Sequence, residues 1–228
     1  MSSRRASDKP SAASVIEALL ERHGLTYAEE LEIGIGKNTP SPLFCWLCAA
    51  LLMSARISTG IAVKAAAGLF ARGWTTAHKM QESTWRQRVD ALNDAGYGRF
   101  DESTARMLGD GAARLLDQYG GDLRRLRQEA KRRPQAEREA LKAFKGIGDV
   151  GADIFLREMQ GVWDELYPFL DPKAARAASQ LGLPASADGL AACVAAKNFP
   201  RLATALIRAA AADDIDIIRQ QAAAKEAA

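Results

Sequence analysis

Apolar positions in this chain recur at helical spacing, and no stretch alternates apolar and polar residues with the period of a strand. Leu43, Leu47, Ala50, Leu51 and Ser54 define one helical face, and Ser41-Pro42 before them reads as an N-cap followed by an N1 proline. Upstream, Ser14 and Glu17 read as a capping box opening a helix that ends near Gly24. A helix after Ser58 or Thr59 stops at Gly73. Another starts at Ser83, with Trp85, Val89 and Leu92 on one face, and stops at Gly96. A long helix from about Asp101 to Tyr119 is closed by Gly120-Gly121, and Asp122 caps a basic helix that Pro134 breaks. A further helix runs to Phe144, and another follows through about Gln160. Asp171-Pro172 opens the next, which stops near Gly182. Two alanine-rich helices, 187–197 and 200–226, finish the chain. The pattern predicts an all-α fold of about ten helices without solenoid repeats.

The chain has 228 residues, 48% of them apolar, enough to bury a substantial core. No apolar run reaches the length of a membrane span, and the polar start MSSRRASDKPSAAS lacks the apolar segment of a secretory signal. A cytoplasmic protein is expected, nucleoid-associated if bacterial. Net charge is only +3, so its distribution carries more information than its sum. Arg124–Lys145 holds nine Lys/Arg against Glu129, Glu137 and Glu139, a net +6 that reads as a solvated helix face or a polyanion surface. Cys45 and Cys48 sit in FCWLCAALL, apolar on every side, and read as core thiols; with Cys193 they make no disulfide framework. His23 and His78 lie too far apart in sequence to complete a zinc site.

Residues 144–155 read FKGIGDVGADIF. Glycine admits positive φ and close approach of another chain. At this spacing it lets the amides of Ile147, Gly148 and Asp149 point outward at a helix start, an arrangement that binds phosphate. Leu141, Phe144, Ile154 and Phe155 would clamp the flanking helices, with Ala152 permitting close packing. A plain helical turn with a glycine C-cap needs only one of these glycines.

LKAFKGIGDVGADIF resembles the helix–hairpin–helix DNA-binding motif, here at about 141–156, departing at Lys145 where many members carry proline. Other segments follow in the order of one family. LLMSARISTGIAVKAAAGLF is similar to the LLSAQ-like early helix pair of endonuclease III-like proteins. GYGRFDESTARMLGDGAARLLDQYGGDL is similar to their next segment, and FLDPKAARAASQLGL to the VDTHVxRVxxRLGL-like one. Over roughly 42–184 the chain thus resembles the helix–hairpin–helix–GPD superfamily of base-excision DNA glycosylases. The resemblance implies two helical subdomains, 37–162 and 1–36 plus 163–228, with a DNA-binding cleft between them. It implies a monomer acting on double-stranded DNA, with no membrane partner.

It also assigns roles. Asp171 falls at the catalytic aspartate, able to stabilise an oxocarbenium-like sugar and to orient or deprotonate water; Asp-Pro is equally an ordinary N-cap with N1 proline. Gly146, Ile147, Gly148, Asp149, Gly151 and Lys145 fall in the phosphate-gripping hairpin. Arg56 falls at the gap-filling glutamine, with Tyr97 and Arg99 as contacts to the other strand; a surface arginine and a turn tyrosine are the plain alternatives. The lyase lysine's position holds Val150, so Schiff-base chemistry would need Lys145 or Lys173 instead. Only Cys193 lies beyond residue 48, so no iron–sulfur cluster is expected; a monovalent cation at the hairpin is compatible with the family. The expected function is a monofunctional DNA N-glycosylase. Alternatives are a catalytically silent DNA-binding member, a glycosylase/lyase with a displaced lysine, and a helical interaction protein in which the glycine segment is only a turn.

Overall fold

The apolar run around Trp46 is the centre of the larger half of the molecule. In the computed structural model, which describes residues 9–227, Leu43, Phe44, Trp46, Ala49, Ala50 and Leu52 are each at most 1% exposed, as an all-round apolar helix requires. The fold is all-α. In order come α1 (Ala12–His23), α2 (Tyr27–Glu30), α3 (Pro40–Ser54), α4 (Thr59–Ala71), α5 (Ala77–Glu82), α6 (Trp85–Asp94) and α7 (Asp101–Tyr119). Then follow α8 (Leu123–Glu129), α9 (Pro134–Lys142), α10 (Asp149–Met159), α11 (Pro172–Gln180), α12 (Ala187–Ala191), α13 (Phe199–Ala211) and α14 (Ile215–Ala227).

The chain divides into two units. One runs from Tyr27 to Leu166; the other joins the chain up to Thr26 to the chain from Tyr167 onward. The larger unit is wider than the expected 37–162 for a local reason. The Glu158 carboxylate on α10 accepts the amides of Tyr27 (2.8 Å) and Ala28 (2.9 Å), tying α2 to this unit. At the other end Trp163, fully buried, packs edge-on against Phe155 at 5.7 Å. Within the unit α3 lies against α4 and α10, and the Trp46 indole N–H donates to the Phe155 carbonyl at 3.1 Å. The α7 helix packs on α5 and α6.

In the smaller unit Val15, Leu19, Ala174, Ala178, Phe199, Leu202, Leu206 and Ile218 form a core in which α1 lies against α13 and α14. Polar side chains lace α1 to α14: Lys225 reaches Glu17 (2.9 Å) and Glu21 (2.6 Å), and Glu226 accepts from the Ser11 amide and the Ser14 hydroxyl, both at 2.7 Å.

Several boundaries differ from expectation. Ser11, not Ser14, caps α1, and Thr39 stands at the N-cap position of α3, so that Pro40 rather than Pro42 takes N1. The Ser41 hydroxyl donates instead to the Thr75 carbonyl at 2.9 Å. Thr84 closes the capping box of α6 while Ser83 ends α5, a short helix the periodicity did not announce. The single helix expected over 200–226 is two. Asp213 turns the chain at φ 58, and the Asp214 carboxylate then takes Arg22 (2.7 Å) and His23 (2.9 Å).

Candidate nucleic-acid interface

α9 and α10 form a hairpin whose turn is set by Gly146, at φ +91. Any Cβ at Gly146 would lie 2.6 Å from the Met107 sulfur, so α7 closes directly over this position. The Ile147 N–H donates to the Phe144 carbonyl at 2.9 Å and closes the turn, with the Ile147 side chain 3% exposed. Leu141, Phe144, Ile154 and Phe155 are buried beneath it.

Gly148 is the N-cap of α10, in extended conformation and without a side-chain cap, and nothing lies within 4 Å of a Cβ there. The first bond of α10 runs from the Ala152 N–H to the Gly148 carbonyl at 3.0 Å. The amides of Gly148, Asp149 and Val150, all on exposed residues, have no partner among the described residues. Such a set, at the positive end of a helix dipole, can hold an anion. This corrects the expected trio by one residue: Ile147 is the internal latch of the turn, and Val150, 42% exposed, takes its place. Gly151 likewise serves packing, since a Cβ there would meet Ile147 at 3.3 Å and Ser54 at 3.4 Å.

The charges around the turn are largely paired. The Asp149 carboxylate accepts from Lys142 (2.9 Å) and Arg138 (3.1 Å), which hold it below its ordinary range, Lys142 foremost. Arg138 also pairs with Asp153, riveting α9 to α10. Lys145 is exposed and pairs with Asp110 of α7 at 3.3 Å.

The end of α3 belongs to the same surface. The Ser54 hydroxyl donates to Leu51 at 2.7 Å and lies 3.4 Å from the Gly146 carbonyl. Arg56, exposed, is two residues farther on, so the structure brings the wedge candidate beside the hairpin. Arg99 is also exposed, its guanidinium 5.5 Å from the Phe100 ring. Tyr97 is a correction. It is fully buried and its hydroxyl donates to the Leu52 carbonyl at 2.9 Å, so it anchors the end of α3 from inside and cannot reach DNA. Burial pushes its phenol upward. Sequence reasoning missed Ser54, Met107 and Arg138, which shape the hairpin; Ser54 could have been noticed beside Arg56, whereas the others act from 39 and 11 residues away from Gly146 and Asp149.

In the smaller unit Asp171 caps α11. Its Oδ1 accepts the amides of Lys173 (3.0 Å) and Ala174 (3.2 Å), and the residue is 2% exposed. Lys173 is exposed beside it.

Cys45 and Cys48 are core residues of α3. Burial pushes the Cys45 thiol up to about 12 and Cys48 well above its ordinary value, so neither offers a thiolate. Cys193 is exposed in the smaller unit. Among the described residues no His, Cys, Asp and Glu side chains cluster for a metal, and no helix is long and apolar enough to cross a membrane.

No protein-family model matches the chain, and no curated protein matches it. Among solved structures it is similar to a trapped endonuclease III–DNA covalent intermediate, an estranged-adenine complex. Identity is 16% and the TM-score 0.47, over 87% of this chain and 86% of that one.

Proposed function

We propose that this protein binds double-stranded DNA through the α9–α10 hairpin and hydrolyses the N-glycosidic bond of a damaged or mismatched base, as a monofunctional DNA N-glycosylase of base-excision repair. The observation that carries the reading is the open start of α10, where three exposed amides face solvent with no capping side chain. Backbone donors of this kind hold phosphates without reading bases. The order of segments in the sequence adds the rest of the assignment. Arg56, beside the hairpin, would fill the gap left when a base is extruded, and Arg99 would touch the opposite strand. Asp171 would steady the sugar cation and orient water, its direction set by two amides. Val150 presents an exposed apolar side chain at the lyase position, and valine forms no Schiff base. Lys145 is engaged with Asp110. A monovalent cation at the turn would be held by backbone carbonyls, of which those of Gly146 and Gly148 each keep a lone pair beyond their one contact.

A second reading keeps DNA binding without base excision. It is favoured by the burial of Asp171, 2% exposed with Oδ1 committed to its own helix. Incubation with duplexes carrying a panel of damaged and mismatched bases separates the two. Strand breaks that appear only after hot alkali are the expected result. Breaks without alkali, trapped by borohydride, would overturn the monofunctional assignment, and intact binding with no base release would establish the second reading.

A further inference from the structure

The basic run of the sequence is not the hairpin's own charge. Of the nine Lys/Arg between Arg124 and Lys145, five are drawn into ion pairs. Arg124 pairs with Asp122, Arg127 with Glu165, Arg138 with Asp149 and Asp153, Lys142 with Glu139 and Asp149, and Lys145 with Asp110. The positive charge left over gathers elsewhere. Lys131, Arg132 and Arg133 are consecutive, all exposed, and none forms an ion pair among the described residues. They form the α8–α9 turn, at the end of α9 opposite the hairpin.

That turn holds its cations at some expense to the backbone. Lys131 and Arg132 both lie in the left-handed region, φ 56 and 51, where glycine is the cheaper residue. The turn is closed by bonds from Lys131 to Gln128, Arg132 to Arg127 and Arg133 to Ala130, a geometry that two glycines would satisfy equally. Arg132 faces the buried Glu137 carboxyl, which burial raises to about 8, so it does not neutralise the turn at physiological pH.

We propose that the Lys131-Arg132-Arg133 turn is a second phosphate-contacting site, which grips the DNA backbone away from the point held by the hairpin. The inference rests on the DNA-binding reading above and adds a footprint to it. Three adjacent exposed cations match a polyanion of closely spaced phosphates, one charge per about 1.7 Å of duplex axis. The nine residues of α9 separate the two contacts by about 13.5 Å at 1.5 Å rise per residue, or about four base pairs of duplex. The hairpin fixes the backbone through directed amides; the turn adds affinity through counterion release and carries no base preference.

The test is the salt dependence of duplex binding by the full chain, wild type against the double variant Lys131→Gly/Arg132→Gly, with Lys131→Gln/Arg132→Gln as a second charge-removing pair. The expected result is a log–log salt slope shallower by about 2 in both variants, with Tm unchanged or raised in the glycine pair. A variant slope equal to a salt-dependent wild-type slope overturns the second site and leaves the DNA reading standing. A wild type that shows no salt-dependent duplex binding overturns both. Turn-dependent binding to vesicles of equal phosphatidylcholine and phosphatidylserine, with the DNA slope unchanged, would assign the turn to a membrane surface and overturn the proposal.

Discussion

α10 and α11 begin in opposite ways. Gly148 opens α10 with no side chain, and its first amides face solvent; Asp171 opens α11 and fills two of its amides with its own Oδ1. One helix start leaves its amides open to solvent and the other satisfies two of them with its own side chain. An open start of this kind suits an external phosphate. A filled one fixes a carboxylate in direction, which is what a group acting on a sugar cation would need.

The largest expected effect comes from Asp171→Asn. Asparagine caps about as well as aspartate, so Tm should barely move, while base release should fall by at least about 100-fold if the carboxylate acts on water or sugar. Release that survives the change would reduce Asp171 to a cap. Next, Gly146→Ala attacks the turn that points α10 outward. With φ +91 and Met107 at 2.6 Å from the new Cβ, it should lower stability by about 2 kcal/mol in urea titration; an unchanged midpoint would show that α7 and the turn yield freely. Gly148→Asp makes the two helix starts alike. Its Cβ meets nothing within 4 Å, so folding should shift by only about a few tenths of a kcal/mol. Duplex affinity should drop about tenfold, because the new carboxylate occupies the amides and repels phosphate. Equal affinity would remove the α10 start from the interface.

A third carboxyl sharpens the contrast. Glu137 on α9 is fully buried, and neither of its oxygens finds a hydrogen-bond donor among the described residues. Beside it Glu165, held by Arg127, is lowered to about 2, whereas burial raises Glu137 to about 8. Arg127 and Arg132 face Glu137 with cationic charge, and Glu165 faces it as an anion. The native state therefore keeps a proton that the unfolded chain releases as pH rises past about 4.5, and stability should fall from there until about pH 8. Glu137→Gln should remove that decline and leave the variant more stable than wild type at pH 8.5, with little difference near pH 4. A wild-type stability that rises across this range would contradict the assignment.

Much of the fold could be read from local chemistry. Gly120-Gly121, Asp122 and Asp171-Pro172 mark helix ends because caps and left-handed stops act within one turn. The same locality explains the errors. Thr39-Pro40 and Ser41-Pro42 are equivalent signals four residues wide, and only the contact from Ser41 to Thr75 decides between them. The break between α13 and α14 depends on Asp214 meeting Arg22 and His23, about 190 residues away in sequence. The candidate hairpin was legible because Gly146 needs its left-handed φ and Gly151 lets Ile147 and Ser54 approach closely. The burial of Tyr97 was not, since a Gly-Tyr-Gly turn can point its ring either way until α3 supplies the Leu52 carbonyl. The basic run misled for a related reason: five of its charges find partners up to 38 residues away, and among the described residues the consecutive three left over stand at the turn 131–133.

The carboxylate of Glu158 carries a kinetic consequence. α2 is four residues long, too short to nucleate alone, and its first amides are held only once α10 stands 131 residues away in sequence. Closing so long a loop comes late, after the local helices have formed. The segment that carries the chain from one unit into the other should therefore acquire amide protection together with α10 and not before it, as pulse-labelled hydrogen exchange during refolding can show. Earlier protection of Tyr27 and Ala28 would mean that the junction organises itself without the helix that caps it.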